Sequence, residues 1–300
     1  MSTRPRLWID RSPEERRRIL NGTFIPRTLC NELIAAMDRV RRNMQEGAEP
    51  TCITFVGGAG VGKSSILKNY AAGEPVTESI EDGCITRKRP VLYVSFPEST
   101  GLGDAADITI RALMGPTAPQ GRRARYVLLP EQLKLQGVEL MIFDEFQHVL
   151  EKGAEKTRAA TRDWIKYLTK ETKVPALQAG MDSINAIVDG DEQLGQLTPY
   201  RFGLPRYGYK TAKEKKDFRD FLAELDRYLP FDHPAHLADP DRARRLHMAC
   251  GGVLRPFCIL LRRAADLAIA ENAGCIRDHD FARAHDEVGP LLENPFEEWL

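Results

Sequence analysis

The sequence predicts an α/β protein, with a three-layer core around a parallel sheet and a small all-helical domain after it. Between residues 52 and 180, short apolar runs alternate with amphipathic segments, the pattern of strands joined by crossover helices. From about residue 211 the strand signals end, and the rest of the chain has helical periodicity. The 300 residues, 42% of them hydrophobic, can bury the cores of two such domains.

The first 50 residues are predicted to be a helical, peripheral extension. Ser12 followed by Pro13 is typical of a helix start, and a second helix is expected over 27–45, before Pro50. Residues 1–42 contain ten arginines against five acidic residues. Such a cluster indicates either a solvated helix face or an arm that faces DNA.

The segment that follows is the most specific motif of the chain. An apolar run over 52–56 leads into residues 57–64, which fit the phosphate-binding template G-x-x-x-x-G-K-[ST] at every fixed position. In such a loop, backbone N–H groups and a helix N-terminus surround the phosphates, Lys63 reaches the β- and γ-phosphates, and Ser64 binds Mg²⁺. The predicted nucleotide-binding residues are Gly57, Gly58, Ala59, Gly60, Val61, Gly62, Lys63, Ser64 and Ser65. The motif predicts a bound nucleoside triphosphate.

The alternation of strands and helices continues beyond this loop, which favours a parallel sheet. After a helix from residue 63, we expect a strand over 90–96, helices over 104–114 and 122–136, a strand over 138–143, a helix over 155–171 and a strand over 174–180. Pro175 stands at the start of the last strand, where a missing N–H is tolerated.

The strand over 138–143 is a continuous apolar run that leads into two acids, Asp144 and Glu145. Such runs are typical of strands buried on both faces of a parallel sheet, and ligands bind beyond the C-terminal ends of these strands. Asp144 is therefore predicted to approach the Mg²⁺ at Ser64, and Glu145 to polarise the water that attacks the nucleotide. The alternative is an ordinary strand end that caps the next helix.

The C-terminal part is predicted to be a lid of helices. A helix over 256–272 is expected to pack an apolar face inward and to end at Gly274. This face consists of Phe257, Leu260, Leu261, Ala264, Leu267 and Ala268. The segment 294–300 holds two aromatic and two acidic residues, and it either docks a partner as a short motif or packs back onto the lid.

Composition limits the classes of partner and location. The formal net charge is zero, from 43 basic and 43 acidic residues, so any nucleic-acid contact must come from local clusters. The six cysteines have neither a C-x-x-C pair nor zinc-ligand spacing, and we expect reduced thiols. No apolar stretch approaches the roughly 18 residues of a membrane span, and the N-terminus has no signal-peptide pattern. We therefore expect a cytoplasmic protein.

Several strings together resemble known families. The phosphate loop, the Asp-Glu strand, the polar-tipped strand after it and the helical lid resemble the AAA+ ATPases. Closer similarity, to the TniB/TnsC family of transposition regulators, covers roughly residues 20–290. It is carried by residues 137–145, Gln-Ala-Gly-Met-Asp at 178–182, Asp-Glu-Gln-Leu at 191–194, Leu-Pro-Arg-Tyr at 204–207, residues 221–230 and Gly-Gly at 251–252.

This resemblance implies a regulatory ATPase that uses ATP and Mg²⁺ and binds double-stranded DNA without sequence specificity. It would select target DNA and recruit or activate a transposase, with an accessory targeting protein as a further partner. The implied assembly is a homo-oligomer, either a ring or a helical filament. The domain bounds that we expect are an N-terminal extension 1–50, an AAA+ nucleotide-binding domain 51–208, a lid 209–290 and a tail 291–300.

The resemblance also assigns roles outside the phosphate loop. Gln178 stands near the expected position of sensor 1, which orients the water or γ-phosphate; a plain strand-end Gln is the alternative. Arg255, three residues after Gly252, resembles sensor 2, and a surface arginine is the alternative. The arginine that commonly follows Gln-Leu-x-x in the family is absent here. Arg201 or Arg206 is therefore expected to reach a neighbouring subunit's γ-phosphate, and Arg201 is preferred.

Pore-facing loops of this fold follow the second strand and precede the Asp-Glu strand. The latter loop contains Arg122, Arg123 and Arg125, predicted to contact DNA phosphates; a solvated loop is the alternative. Two other functions stay open. A replication initiator or helicase loader usually carries a dedicated DNA-binding domain, and this sequence reveals none. A signalling or chaperone-like ATPase would be expected to have extra interaction domains or an aromatic pore loop.

Overall fold

The computed structural model describes residues 8–25, 27, 30–81, 84–151, 155–289 and 293–299. The chain forms two compact units, Thr28–Pro205 and a second unit that joins Met1–Arg27 to Arg206–Leu300. We call them the α/β unit and the helical unit. The first 50 residues, predicted as one extension, are thus divided between the two units. The bounds predicted for the individual domains stay predictions.

The α/β unit contains seven strands and eight α-helices among its described residues. The strands are β1 (Ile53–Val56), β2 (Thr77–Glu81), β3 (Cys84–Lys88), β4 (Val91–Ser95), β5 (Leu140–Asp144), β6 (Ala176–Gly180) and β7 (Tyr200–Gly203). Numbered after α1 of the helical unit, the helices are α2 (Asn31–Gln45), α3 (Lys63–Ala72), α4 (Leu102–Met114), α5 (Leu129–Leu135), α6 (Gln147–Glu151), α7 (Glu155–Thr172), α8 (Ser183–Asp189) and α9 (Glu192–Leu197).

Five of these strands form one parallel sheet in the order β4-β5-β6-β1-β7. One face of the sheet packs on α4, α5, α7 and α8 around Phe143, Trp164 and Leu168, which are at most 1% exposed. The other face lies under α2 and α3, whose Met37 and Leu67 are fully buried. The predicted three-layer α/β core is confirmed.

Three features of this unit differ from the prediction. Strands β2 and β3 form a separate antiparallel hairpin, and β7 adds an edge strand beside β1. The described hairpin residues 77–80 are exposed, and the four residues of β7 alternate between half-buried and exposed, so neither carries the apolar run expected of a buried strand. The helix predicted over 122–136 contains a π-helical turn at Ala124–Leu128.

The helical unit contains α1 (Pro13–Gly22), α10 (Ala212–Tyr228), α11 (Pro240–Cys250), α12 (Leu254–Ala270) and α13 (Asp278–Val288). All six predicted apolar residues of α12 are buried, and Phe257 packs against Phe218 and Phe221. Gly274 does not end this helix. Instead Asn272 adopts φ +54°, and the N–H of Ala273 bonds the Ala268 carbonyl, because asparagine tolerates the left-handed conformation of a helix C-terminus. Among the described residues, no helix has the length and apolar character that a membrane crossing requires.

The described arginines of the N-terminal cluster are largely engaged within the fold. Arg16 is 2% exposed and donates to the Pro230 carbonyl, and Arg17 pairs with Asp266. Arg41 bonds the carboxylates of Glu74 and Glu139, each at 2.7 Å. Burial alone lowers the pKa of Arg41, but these hydrogen bonds and that with Tyr70 raise it overall. Arg16 and Arg41 are therefore held within the fold, whereas Arg17 is paired at a partly exposed position.

The C-terminal segment packs on the helical unit. Phe296 is fully buried and stacks on Phe281 with ring centroids 5.4 Å apart. The Asn294 amide donates to the Ala282 carbonyl. Of the two alternatives for this segment, packing accounts for Phe296.

Candidate nucleotide site

The phosphate loop lies between β1 and α3, as the motif predicts. Gly62 has φ +107°, a conformation that side-chain-bearing residues rarely adopt, and α3 begins at the next residue, Lys63. The first-turn N–H groups of α3 therefore face the loop that precedes them. Ser64 stands in this first turn and is half-buried. The arrangement is suited to an anion at the helix N-terminus.

Lys63 is buried in this loop, with 6% of its surface exposed. Its Nζ donates to the carbonyl oxygens of Gly57, at 2.6 Å, and Gly58, at 2.9 Å. Burial lowers the pKa of Lys63, and the negative charges of Glu145, Asp144 and Asp182 oppose that shift. The ammonium group and the predicted acid pair are thus within electrostatic reach of each other.

Asp144 ends β5 and is fully buried. Its Oδ2 accepts the Tyr93 hydroxyl at 2.6 Å, and its Oδ1 accepts the N–H of Glu145 at 2.9 Å. Burial, and then this hydrogen bond, raise the pKa of Tyr93, which keeps it a donor. Each carboxylate oxygen retains a lone pair for a metal ion. Tyr93 was missed from the sequence, because its relation to Asp144 depends on the register of β4 beside β5.

Glu145 follows in a left-handed turn, with φ +54°. Its Oε2 accepts a hydrogen bond of 2.6 Å from Nε2 of Gln147, a residue that sequence reasoning also missed. The imidazole of His148 lies 3.9 Å from the same oxygen. The side chain of Glu145 is 39% exposed, so a water molecule can reach it.

Gln178 is not brought to this cluster. It pairs in register with Phe143 on β5 and with Thr54 on β1. Because side chains alternate along a strand, Gln178 shares the face of Phe143, opposite to that of Asp144. It is 1% exposed, and its Nε2 has no hydrogen-bond partner among the described residues. This placement favours a strand glutamine over the sensor 1 role.

The three candidate arginines have different surroundings. Arg201, on β7, donates to the Thr198 carbonyl and pairs with Asp189 at 3.1 Å. Arg206 and Arg255 are exposed, and neither forms an ion pair with a described residue. Arg255 lies in the first turn of α12. Arg201, which the sequence analysis preferred, is therefore paired within its own unit. Arg206 and Arg255 are exposed and could contact a nucleotide or another subunit.

The predicted DNA-contacting arginines also differ. Arg122 and Arg123 are exposed and form no ion pair with a described residue. Arg125 is partly buried and packs against α4, where a Cβ on Gly103 would lie 2.8 Å from its Nη2. The loop therefore presents two available cations, and Arg125 holds the π-helical turn against α4.

The side chains of the site fit a nucleoside triphosphate with Mg²⁺. Lys63 supplies a buried ammonium group, Ser64 a hydroxyl at a helix N-terminus, and Asp144 a buried carboxylate with free lone pairs. Hard divalent cations prefer such oxygen ligands, and Mg²⁺ is usually bound by one or two protein groups together with phosphates. A second group of possible metal ligands consists of Glu271, His279 and Asp280. Its carboxylates already pair with the cations of Arg277 and Arg283, so a metal cation is disfavoured there.

The parallel sheet, the phosphate loop, the acid pair and the helical unit define a P-loop ATPase of the AAA+ class. The model of the family described as bacterial TniB protein matches residues 17–203. The chain therefore belongs to the TniB family, as the motifs predicted. No curated protein sequence matches the chain.

Solved structures with this fold include archaeal and bacterial proteins. The Aeropyrum pernix ORC2 protein has a TM-score of 0.63 at 17% identity, covering 90% of this chain and 71% of its own. The Aeropyrum pernix ORC1 protein in complex with DNA has a TM-score of 0.61 at 17% identity, over 91% and 69%. The Thermotoga maritima RuvB Holliday junction branch migration motor has 0.51 at 10% identity, over 90% and 73%. At these identities the likeness establishes the AAA+ fold alone.

Proposed function

We propose that this protein is an ATP-switched, DNA-binding oligomer that regulates DNA transposition. It would select target DNA and recruit or activate the transposase. The observation that carries the proposal is membership of the TniB family over residues 17–203, a stretch that includes the phosphate loop, the acid pair and the basic loop. The cytoplasmic location expected from the sequence belongs to the same proposal.

Each residue of the site would have a separate role in ATP hydrolysis. The loop Gly57–Ser65 would bind the phosphates, with Lys63 leaving its carbonyl partners for the β- and γ-phosphates. Ser64 and Asp144 would hold Mg²⁺, and Tyr93 would keep the Asp144 carboxylate in orientation. Glu145 would orient and polarise the attacking water. Bound Mg²⁺ neutralises the charge that develops on the transferred phosphoryl group.

A neighbouring subunit would complete the site. Of the two candidates, Arg206 fits this role better than Arg201, because Arg201 would first have to leave Asp189. An arginine supplied in this way is worth on the order of 10³- to 10⁵-fold in turnover. The exposed Arg255 remains the candidate for sensor 2. Because the neighbouring subunit would supply an arginine to the site, hydrolysis would be coupled to assembly, in a ring or a filament.

DNA would lie against Arg122 and Arg123. Contacts to phosphates need only cations and backbone N–H groups, which suits a regulator that must accept many sequences. The match to an ORC1 structure described as a complex with DNA supports the proposal at the level of the fold.

The test is fluorescence anisotropy with a random-sequence duplex, in ATP, a non-hydrolysable analogue, ADP or no nucleotide, at two salt concentrations. We expect tight, salt-sensitive binding only in the triphosphate states. Arg122→Ala with Arg123→Ala should weaken this binding. The slope of log K against log salt concentration should become less negative by about 0.9 for each phosphate contact that is lost. The charge-matched control is Lys170→Ala with Lys213→Ala, two exposed cations on other helices. Absence of binding in every nucleotide state would overturn the DNA half of the proposal.

The second candidate is a replication initiator or helicase loader. The likeness to ORC proteins favours it, since TM-scores reach 0.63 over 90% of the chain. The same titration separates the two: an initiator would prefer particular origin-like duplexes, whereas a target selector should bind unrelated duplexes equally.

A further inference from the structure

Gln147 connects the acid of the site to the end of a neighbouring strand. Its Nε2 donates to Oε2 of Glu145 over 2.6 Å, and its Oε1 accepts the backbone N–H of Met181 over 3.2 Å. A backbone N–H can only donate, so the amide oxygen must face Met181 and the amide nitrogen must face Glu145. The side chain is 3% exposed. One buried amide therefore links Glu145 to the residue that follows β6.

Gly180 leaves the space that this amide occupies. A Cβ at this position would lie 1.9 Å from Oε1 of Gln147 and 3.0 Å from its Cδ. Gly180 has no positive φ, so the backbone conformation itself does not require glycine here. A side chain at position 180 would displace the amide of Gln147 and would also meet Cδ1 of Ile184, which lies 2.9 Å from the added Cβ.

The amide of Gln147 donates a hydrogen bond of 2.6 Å to the carboxylate of Glu145, whereas the imidazole of His148 lies farther away, 3.9 Å from the same oxygen. The Glu145 side chain is 39% exposed, and its backbone adopts φ +54°, which directs the side chain differently from a regular strand end. The turn itself is held by the Phe146 N–H, which bonds the Ala179 carbonyl at 2.9 Å. Gln147 adds a second connection to β6, because its amide joins the carboxylate of Glu145 to the N–H of Met181.

We propose that Gln147 is a positioning residue for ATP hydrolysis. By binding Oε2 of Glu145, it fixes the carboxylate and leaves Oε1 to accept a proton from the attacking water. Its bond to Met181 fixes that geometry relative to the end of β6. The inference rests on the proposed function of Glu145 in hydrolysis. A loosely held catalytic group costs turnover while substrate binding is retained, because binding of the nucleotide does not use the carboxylate.

The first test is Gln147→Met, which keeps the length of the side chain and removes both hydrogen bonds. We expect turnover to fall about 10- to 100-fold. Affinity for a fluorescent ATP analogue and the KM for ATP should stay unchanged. The matched control is Gln136→Met, a buried glutamine whose amide bonds the Leu113 carbonyl away from the site. That variant should keep wild-type turnover per folded molecule. Turnover of Gln147→Met at or above the wild-type rate would overturn the proposal.

The second test displaces the amide without changing it. Gly180→Ala should lower turnover in the same direction as Gln147→Met. The double variant should fall no further than the lower single variant, because both changes remove the same bridge. Independent, multiplying losses in variants that unfold at the wild-type temperature would overturn the proposal, since each change would then act by a separate route. Thermal unfolding of each variant verifies that folded molecules are compared.

A third variant separates this inference from the proposed function. If Glu145→Gln keeps wild-type turnover, the role of Glu145 fails, and with it the basis of the inference. If Glu145→Gln abolishes turnover while Gln147→Met is unaffected, the role of Glu145 stands and the positioning role of Gln147 fails.

Discussion

Among the described residues, each unit buries one aspartate completely, and the partners of these two carboxylates differ. Asp144 of the α/β unit accepts hydrogen bonds from Tyr93 and from the N–H of Glu145, and forms no ion pair with a described residue. Asp280 of the helical unit accepts three bonds of 2.8 to 2.9 Å from the backbone and guanidinium of Arg277. A buried charge is costly without a counter-charge. Asp280 has its cation in the fold, which suits a structural role; Asp144 is suited to a ligand that brings one.

The largest expected effect comes from Asp144→Asn. We expect turnover to fall on the order of 10³-fold, because a metal ligand contributes several kcal/mol to transition-state stabilisation. Stability should change little, because the buried charge that is removed accepts two hydrogen bonds but forms no ion pair with a described residue. Steady-state ATPase assays together with denaturant unfolding check both expectations. A large loss of stability with normal turnover would show that the two aspartates have the same role.

Phe257→Ala tests the helical unit, where we expect a substitution to affect stability and not turnover. This side chain is fully buried and contacts Phe218 and Phe221 in the core of the helical unit. The expected cost is about 4 kcal/mol, from lost burial and the remaining cavity. Unfolding in urea gives the value. Nucleotide affinity of the folded variant serves as the control, and we expect it to stay at the wild-type level.

Asp280→Asn should affect stability and leave the chemistry intact. The hydrogen bond to Asp280 raises the pKa of Arg277, as does that to Glu271, so the charged pair is favourable in the folded state. Loss of the carboxylate charge should cost about 2 kcal/mol, because Arg277 is partly exposed and keeps Glu271. Turnover per folded molecule should not change. A fall in turnover matching that of Asp144→Asn would contradict the contrast between the two carboxylates.

Ser12→Ala should give the smallest effect. The Ser12 hydroxyl accepts the N–H of Glu15 at the start of α1. Removing this cap should cost about 1 kcal/mol. Unfolding in urea measures it, and Ser12→Asp, which keeps a capping oxygen, should restore wild-type stability.

The sequence predicted those parts of the site that one segment encodes by itself. The phosphate loop, Lys63, Ser64 and the acid pair lie in the predicted strand–loop–helix and strand-end settings. Tyr93 depends on register between strands, which no single segment carries. Gln178 was placed near the end of its strand correctly, but the side of the sheet that it faces depends on its neighbours.

Gln147 was missed for a different reason. Its contact with Glu145, two residues earlier, is made across the left-handed turn at Glu145, whereas the regular helix that follows would turn two such side chains to different faces. In the same way, the hairpin β2–β3 and the edge strand β7 lack the apolar content that identifies a buried strand, because their side chains face solvent to a large extent. Local patterns predict buried elements better than exposed ones.

In the proposed function, the nucleotide state of the α/β unit controls DNA binding. The most direct test of this control measures the lifetime of the duplex complex after ATP is diluted or chased, for the wild type, Glu145→Gln and Lys63→Ala. We predict that Glu145→Gln binds ATP, fails to hydrolyse it and stays on DNA much longer than the wild type. Lys63→Ala should bind neither ATP nor DNA. Equal lifetimes for the wild type and Glu145→Gln, with hydrolysis blocked only in the latter, would contradict the account.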